Sequence, residues 1–133
     1  MITLVDSNVI LDLVTNDPKW SDWSGEVLAQ AADESVLAIT PIIFGEVSIR
    51  FETIEELENL LPPNEVERLE LPYEAAFLAG KAFLAYRRRG GKRTAPLADF
   101  YIGAHAAVAG LRLLTRDSQR YRTYFPTVDI IAP

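Results

Sequence analysis

Four acidic residues stand near the predicted ends of strands or starts of helices: Asp6, Glu46, Asp99 and Asp117. Asp6 ends the apolar run 2–5, and Asp117 follows the apolar run 111–115. If both runs are central parallel strands, their carboxyl ends share the edge of the sheet where open α/β folds bind ligands. Two carboxylates about 4 Å apart repel by roughly 4 kcal/mol at an effective dielectric near 20. A cluster of four therefore predicts a bound cation.

The side chains near these acids indicate which kind of ion would bind. Asn8 and Thr115 would add neutral oxygen atoms to the four carboxylates, as ligands or as orienting groups. The chain contains no cysteine and a single histidine, His105. Oxygen ligands select hard cations such as Mg²⁺ or Mn²⁺ over zinc.

A purely structural role is the main alternative for each acid taken alone. Asp6, Asp99 and Asp117 all stand where a helix cap or first-turn acid would stabilise a helix by about 1 kcal/mol. Glu46 differs, because its helix neighbours are apolar and a buried glutamate needs a partner. The joint placement of the four residues favours the metal site.

Apolar runs and breakers predict strands that alternate with helices. This pattern indicates an α/β fold, a three-layer doubly wound sandwich with a mostly parallel sheet of four to five strands. We expect one domain over residues 1–133. The predicted strands are 2–5, 36–39, 66–71, 111–115 and 128–131, and the predicted helices are 9–14, 20–32, 42–51, 53–61, 72–89, 97–109 and 117–121.

The charge of the chain is divided unevenly along its length. The net charge is −6, but residues 1–80 carry 3 basic and 16 acidic side chains, and residues 81–133 carry 10 basic and 3 acidic ones. The asymmetry suggests a basic strip for phosphate contact beside an acidic region for metal or a basic partner. We find no secretory signal at the start and no apolar run near the roughly 18 residues of a membrane span. With no cysteine, a cytoplasmic location is expected.

Four segments of the sequence resemble the PIN-domain nucleases, in particular the VapC-type toxins of bacterial toxin–antitoxin pairs. They are Leu4–Ile10, Phe44–Val47, Leu97–Ala106 and Leu113–Asp117. The resemblance implies a PIN-like nuclease domain in which Asp6, Glu46, Asp99 and Asp117 are the catalytic, metal-binding acids. It also implies supporting roles for Asn8 and Thr115, an RNA substrate, a small cognate antitoxin as partner, and a homodimer. Gln119 departs from the pattern, since some relatives carry a further acid there.

The expected chemistry is hydrolysis of RNA by a metal-activated water, with no side-chain nucleophile. A haloacid-dehalogenase phosphatase would need an acid at Asn8, and a receiver domain would need a lysine after Lys92. A binding module that has lost catalysis remains the alternative. The predicted RNA contacts are Arg87, Arg88, Arg89, Lys92, Arg93 and Arg116, with Arg112, Arg120 and Arg122 as further phosphate contacts.

Several other side chains have two open interpretations. The tyrosines 101, 121 and 124 either stack on unpaired bases or belong to the core. Trp20 and Trp23 are either core residues or part of a partner surface, and we expect His105 to have a packing or interface role. Arg116 is either a phosphate contact or an ion-pair partner of the acids.

Overall fold

Five short strands form one sheet in which all neighbouring strands are parallel. A computed structural model describes residues 1–92 and 97–133 of the chain. The strand order β3-β2-β1-β4-β5 reverses direction between β1 and β4, so right-handed crossovers place helices on both faces. The predicted α/β doubly wound fold is confirmed. The strands are β1 (Ile2–Val5), β2 (Val36–Ile39), β3 (Val66–Arg68), β4 (Arg112–Leu114) and β5 (Ile130–Ile131).

Seven helices connect the strands in the described residues, and two of them begin at threonine caps. Thr40 accepts a hydrogen bond from the Ile43 N–H ahead of Pro41, and Thr53 accepts one from the Glu56 N–H. Such caps satisfy backbone donors that have no partner within the helix. The helices are α1 (Ser7–Val14), α2 (Ser21–Glu34), α3 (Pro41–Ser48), α4 (Ile54–Leu60), α5 (Tyr73–Arg88), α6 (Leu97–Ala109) and α7 (Gln119–Tyr124).

The register between β1 and β4 brings two of the predicted site residues together. Val5 pairs with Leu114, and the Asp6 N–H donates to the Leu114 carbonyl at 2.9 Å. Asp6 and Thr115 therefore leave the sheet side by side, at the point where the strand order reverses. Leu4 and Leu113, both fully buried, lie in the core beneath this edge.

Three strands are shorter than the sequence predicts, and the last helix begins later. β3 ends at Arg68, and the last bond to β2 runs from the Leu69 N–H to the Ile39 carbonyl. β5 begins late because the Val128 N–H bonds to the Phe125 carbonyl in a turn. The predicted capping role of Asp117 is wrong. α7 starts at Gln119 after Ser118, and the Asp117 N–H donates to the Thr115 hydroxyl instead.

Two expectations fall partly outside these elements. The predicted RNA contact Arg93 belongs to residues 93–96, which lie outside the described residues. Within the ranges 1–92 and 97–133, no helix combines the length and apolar character needed to cross a bilayer.

Candidate metal centre

Asp6 is the most deeply buried of the four acids, with 3% of its surface exposed. Its Oδ1 accepts a 2.8 Å hydrogen bond from the Ser7 N–H at the start of α1, so the predicted cap is confirmed. Its Oδ2 accepts hydrogen bonds from Thr115 Oγ1 at 2.8 Å and from the Tyr121 hydroxyl at 2.9 Å. The strand end, the cap and two hydroxyls together fix this carboxylate in one orientation.

Ser7 links Asp6 to Glu46. The Ser7 hydroxyl donates to Glu46 Oε1 at 3.0 Å and lies 3.5 Å from Asp6 Oδ1. The expectation that Glu46 is surrounded by buried residues is wrong in part, because only Ile43 and Val47 of α3 are buried. The half-buried Glu46 reaches the sheet edge through a hydroxyl rather than through an ion pair.

Asp99 lies in the first turn of α6, as predicted, and binds a cation of the same chain. Arg120 Nη1 lies 2.8 Å from Asp99 Oδ2 in an ion pair whose side chains are 29% and 28% exposed. Two consecutive residues of α7 therefore bind acids from β1 and α6.

Asp117 is exposed, and a network of neutral groups holds the segment before it. The Thr115 hydroxyl accepts from the Asp117 N–H and from Asn8 Nδ2, both at 3.2 Å. Asn8 Oδ1 accepts from the Arg116 N–H at 3.1 Å. Asn8 and Thr115 thus tie the segment after β4 to α1 and hold its position beside Asp6.

Burial raises the pKa of Asp6 from 3.8 to about 6. Hydrogen bonds from Thr115 and Tyr121 favour the charged form and oppose this rise, whereas the charges of Asp99 and Glu46 add to it. The surroundings of Asp6 therefore disfavour its charged form. A nearby positive charge would stabilise the ionised carboxylate at neutral pH.

The same physical causes act on two of the other acids. Burial raises the pKa of Glu46, with a hydrogen bond from Ser7 opposing the rise and the charge of Asp99 adding to it. Burial also raises the pKa of Asp99, and the charge of Asp117 adds to that rise. The Arg120 guanidinium lowers the pKa of Asp99 but does not cancel the effect of burial. The charges of Glu46, Asp99 and Asp117 thus each raise the pKa of another carboxylate, and Asp6 has its pKa raised by two of them.

The donor set suits a hard divalent cation, since it consists of oxygen atoms whose negative charge lacks full compensation. The side chains as they stand do not form a complete ligand shell. Within residues 1–92 and 97–133, no three His, Cys, Asp or Glu side chains lie close enough to hold one ion. The Ser7 hydroxyl lies between Asp6 and Glu46, and Arg120 binds Asp99. The four acids therefore influence one another through their charges, but their side chains as they stand do not form a single coordination sphere.

The profile of the family described as PIN domain matches residues 3–126 of the chain. The chain belongs to the PIN domain family. No curated protein sequence matches it.

Solved structures of toxin–antitoxin complexes contain chains with the same fold as this PIN domain. VapBC2 from Rickettsia felis, bound to a DNA fragment from its promoter, gives a TM-score of 0.74 at 17% identity, covering 100% of this chain and 99% of that one. VapBC-1 from nontypeable Haemophilus influenzae gives 0.72 at 20% identity, with coverage of 99% and 98%. A Klebsiella pneumoniae toxin–antitoxin complex gives 0.58 at 20% identity, with coverage of 90% and 89%.

The basic side chains of the PIN domain fall into two groups. One group ends α5 and is exposed, and its predicted contact with RNA stays a prediction; it comprises Arg87, Arg88, Arg89 and Lys92. The predicted contact at Arg93 lies outside the described residues. The other group makes contacts within the protein. Arg112 begins β4 at the opposite edge of the sheet and pairs with Glu34 at 3.3 Å, so its predicted phosphate contact at this site is wrong.

Arg116 forms an ion pair, but not with any of the four predicted acids. Its Nε lies 3.1 Å from Asp12 Oδ2, although the N–H direction does not complete a hydrogen bond. Asp12 is 2% exposed and also accepts a 2.8 Å hydrogen bond from Ser24. The Arg116 guanidinium covers the Trp20 ring at 5.4 Å. This cluster joins α1, α2 and the segment after β4.

Sequence reasoning missed several residues that shape the centre. Tyr121 was a candidate for base stacking, but it is 2% exposed and its hydroxyl binds Asp6. Ser7 had a signal in its position between Asp6 and Asn8, whereas Arg120 gave none beyond its charge. His105 is 2% exposed and burial lowers its pKa, which supports the packing role.

Proposed function

We propose that this PIN domain is a Mg²⁺- or Mn²⁺-dependent endoribonuclease and the toxin of a VapC-type toxin–antitoxin pair. The observation that supports the proposal is the position of Asp6 beside Thr115 at the carboxyl edge of β1 and β4, with Glu46 and Asp99 near enough for their charges to raise the pKa of Asp6. Each of these carboxylates takes part in the mutual charge effects described above. A site that concentrates negative charge in this way fits a divalent ion.

Asp6, Glu46, Asp99 and Asp117 would supply ligands once their side chains turn toward the ion, with Asn8 and Thr115 in support. When bound, the ion supplies Lewis-acid activation of water and of the phosphodiester. The protein's part is to orient Asp6, which the hydroxyls of Thr115 and Tyr121 fix from one side.

The RNA would lie along the exposed basic end of α5. Side chains there would contact backbone phosphates and position the strand, as lysine and arginine do in most nucleic-acid complexes. They are Arg87, Arg88, Arg89 and Lys92, continued by Arg93, and Arg116 would contribute its exposed part while paired with Asp12.

Cleavage of mixed cellular RNA by the purified protein tests the proposal. We expect cleavage with Mg²⁺ or Mn²⁺ and none with a chelator. The variant Asp6→Asn should lose more than the roughly 10- to 100-fold that removal of a group supporting a metal ligand costs. Asp33→Asn, an exposed acid in α2, is the matched control and should keep full activity. Cleavage that ignores the chelator, or that survives in Asp6→Asn, would overturn the assignment.

The second candidate function is a PIN-like module that binds RNA or an antitoxin without catalysis. The ion pair of Asp99 with Arg120 favours it, because this acid already has a cation. A protein that binds RNA tightly in the presence of Mn²⁺ and leaves the RNA intact would support this alternative.

The proposed partner is a small antitoxin, as in the complexes that share the fold. The acidic centre would attract an arginine or lysine from the antitoxin, which would compete with metal or RNA by charge. We propose that this chain acts as one domain over residues 1–133 in the cytoplasm. Copurification of the chain with a short protein that carries a basic tail tests the pairing. We expect the complex to be inactive, and full activity in it would argue against the pairing. We also propose a homodimer, which light scattering of the purified chain would detect.

A further inference from the structure

Arg120, a predicted phosphate contact, lies inside the acidic cluster at the start of α7. Its Nη1 lies 2.8 Å from Asp99 Oδ2. The guanidinium carbon also lies 5.3 Å from the centre of the Tyr86 ring and 5.7 Å from that of Phe100. Stacking on two aromatic rings holds an arginine in place more firmly than a solvent-exposed ion pair does.

Arg120 is also the only cation that forms an ion pair with any of the four acids within residues 1–92 and 97–133. The hydrogen bonds to Asp6 all come from neutral donors: the Ser7 N–H, the Asn8 amide, and the hydroxyls of Ser7, Thr115 and Tyr121. The hydrogen bond to Glu46 comes from the neutral Ser7 hydroxyl. Among the described residues, Arg120 is therefore the one positively charged side chain that is paired with an acid of the cluster.

We propose that Arg120 is an internal counter-ion that competes with the divalent cation for Asp99. This inference rests on the proposed function, since it requires an ion to bind at the acidic centre. A guanidinium bonded to Asp99 Oδ2 takes up space that an ion bound to Asp99 needs, and it neutralises part of the negative charge that would attract the ion. The two positive charges also repel each other. Arg120 thus stabilises the metal-free centre and lowers its affinity for metal.

The structure gives the arginine room to leave. A cavity of about 320 Å³ lies beside it, lined by Tyr86, Asp117, Gln119, Arg120, Thr123 and Tyr124. The side chain can rotate toward this cavity while it keeps contact with Tyr86. In this proposal the exchange would need a change of side-chain conformation only.

The alternative role for Arg120 is to orient Asp99 for the ion. The direction in which metal affinity changes when Arg120 is removed distinguishes this role from competition. If the arginine competes, its removal strengthens metal binding; if it orients the carboxylate, its removal weakens metal binding. The probe is Mn²⁺ alone, titrated calorimetrically into the full chain. The variants are Arg120→Gln and Arg120→Met, of which the second keeps the aliphatic contact with the rings. Arg122→Gln is the control, because Arg122 is exposed on the same helix and donates only to Ser118 among its described contacts.

We expect both Arg120 variants to bind Mn²⁺ about fivefold or more tightly than the wild type, the lower end of usual coupling between two sites. The control should bind as the wild type does. The increase in melting temperature on adding Mn²⁺ gives a second readout and should be larger in the Arg120 variants. If the wild type binds Mn²⁺ and the Arg120 variants bind it equally or more weakly, this inference is overturned and the proposed function is not. A wild type that binds no Mn²⁺ overturns the proposed function as well.

Discussion

The change Asp6→Asn should stabilise the metal-free protein at neutral pH while it removes metal binding. Burial raises the pKa of Asp6 from 3.8 to about 6, so the folded protein holds a proton on this group over a pH range in which the unfolded chain has lost it. The free energy of unfolding therefore falls as pH rises from about 4 to about 6. The shift corresponds to a loss of about 3 kcal/mol, since one pKa unit is worth about 1.4 kcal/mol.

Urea unfolding with a chelator present measures this effect. The useful quantity is the difference in unfolding free energy between Asp6→Asn and the wild type, followed from about pH 4 to about pH 8. We expect it to change by about 3 kcal/mol in favour of the variant and to level off above about pH 7. The raised pKa values of Glu46 and Asp99 act in both proteins and largely cancel in the difference. Asp33→Asn should show no such change with pH.

A second arm of the experiment adds Mn²⁺. Metal binding requires an ionised carboxylate, so Mn²⁺ should stabilise the wild type increasingly as pH rises through about 6. It should leave Asp6→Asn nearly unaffected. A difference between the two proteins that stays constant with pH would refute the argument that the buried charge of Asp6 lacks compensation.

Three further changes test other parts of the centre. Tyr121→Phe removes a hydrogen bond to ionised Asp6, so the pH midpoint of Mn²⁺ binding should move upward from about 6. Gly103→Ala would place a methyl group against two aromatic rings, one of them Tyr121 at 3.0 Å, and should cost about 1–3 kcal/mol in urea unfolding. Arg116→Met leaves the buried Asp12 without its ion pair and should also cost about 1–3 kcal/mol.

Each of these changes has a result that would count against it. For Tyr121→Phe, a midpoint that stays in place or moves down would mean that the hydroxyl does not stabilise the charged form of Asp6. For Gly103→Ala, the control is Gly45→Ala, where nothing lies within 4 Å of the added methyl group and helix propensity predicts a gain of about 0.5–1 kcal/mol. If Arg116→Met costs as much in an Asp12→Asn background as in the wild type, the ion pair is not the source of the cost.

The sequence predicts the sheet edge well because local signals determine it. β1 and β2 are runs of β-branched and other apolar residues, and Asp6 and Thr40 cap the helices that follow them. Such signals lie within a few residues of the element that they define. The predicted positions of Asp6 after β1 and Asp99 at the start of α6 are therefore those that the structure has.

The contacts that complete the centre could not be predicted in the same way. Tyr121 and Asp6 are 115 residues apart, and Arg120 and Asp99 are separated by 21. Which face of α7 turns inward depends on where the helix begins. The sequence suggested Asp117 as its cap, whereas the Thr115 hydroxyl binds the Asp117 N–H and the helix begins two residues later. The side chains of α7 that face the acids therefore follow from contacts between residues far apart in the sequence.

Magnitudes decide between the structural and the functional interpretation of Asp6. A helix cap stabilises a protein by about 1 kcal/mol, and asparagine or serine would serve as well as aspartate. Burial of the ionised side chain costs about 3 kcal/mol at neutral pH, even with hydrogen bonds from two hydroxyls. Capping α1 therefore does not account for a buried aspartate at the end of β1. A cation held by Asp6 and its acidic neighbours would offset the cost, and a neutral cap would bring no negative charge to hold that ion.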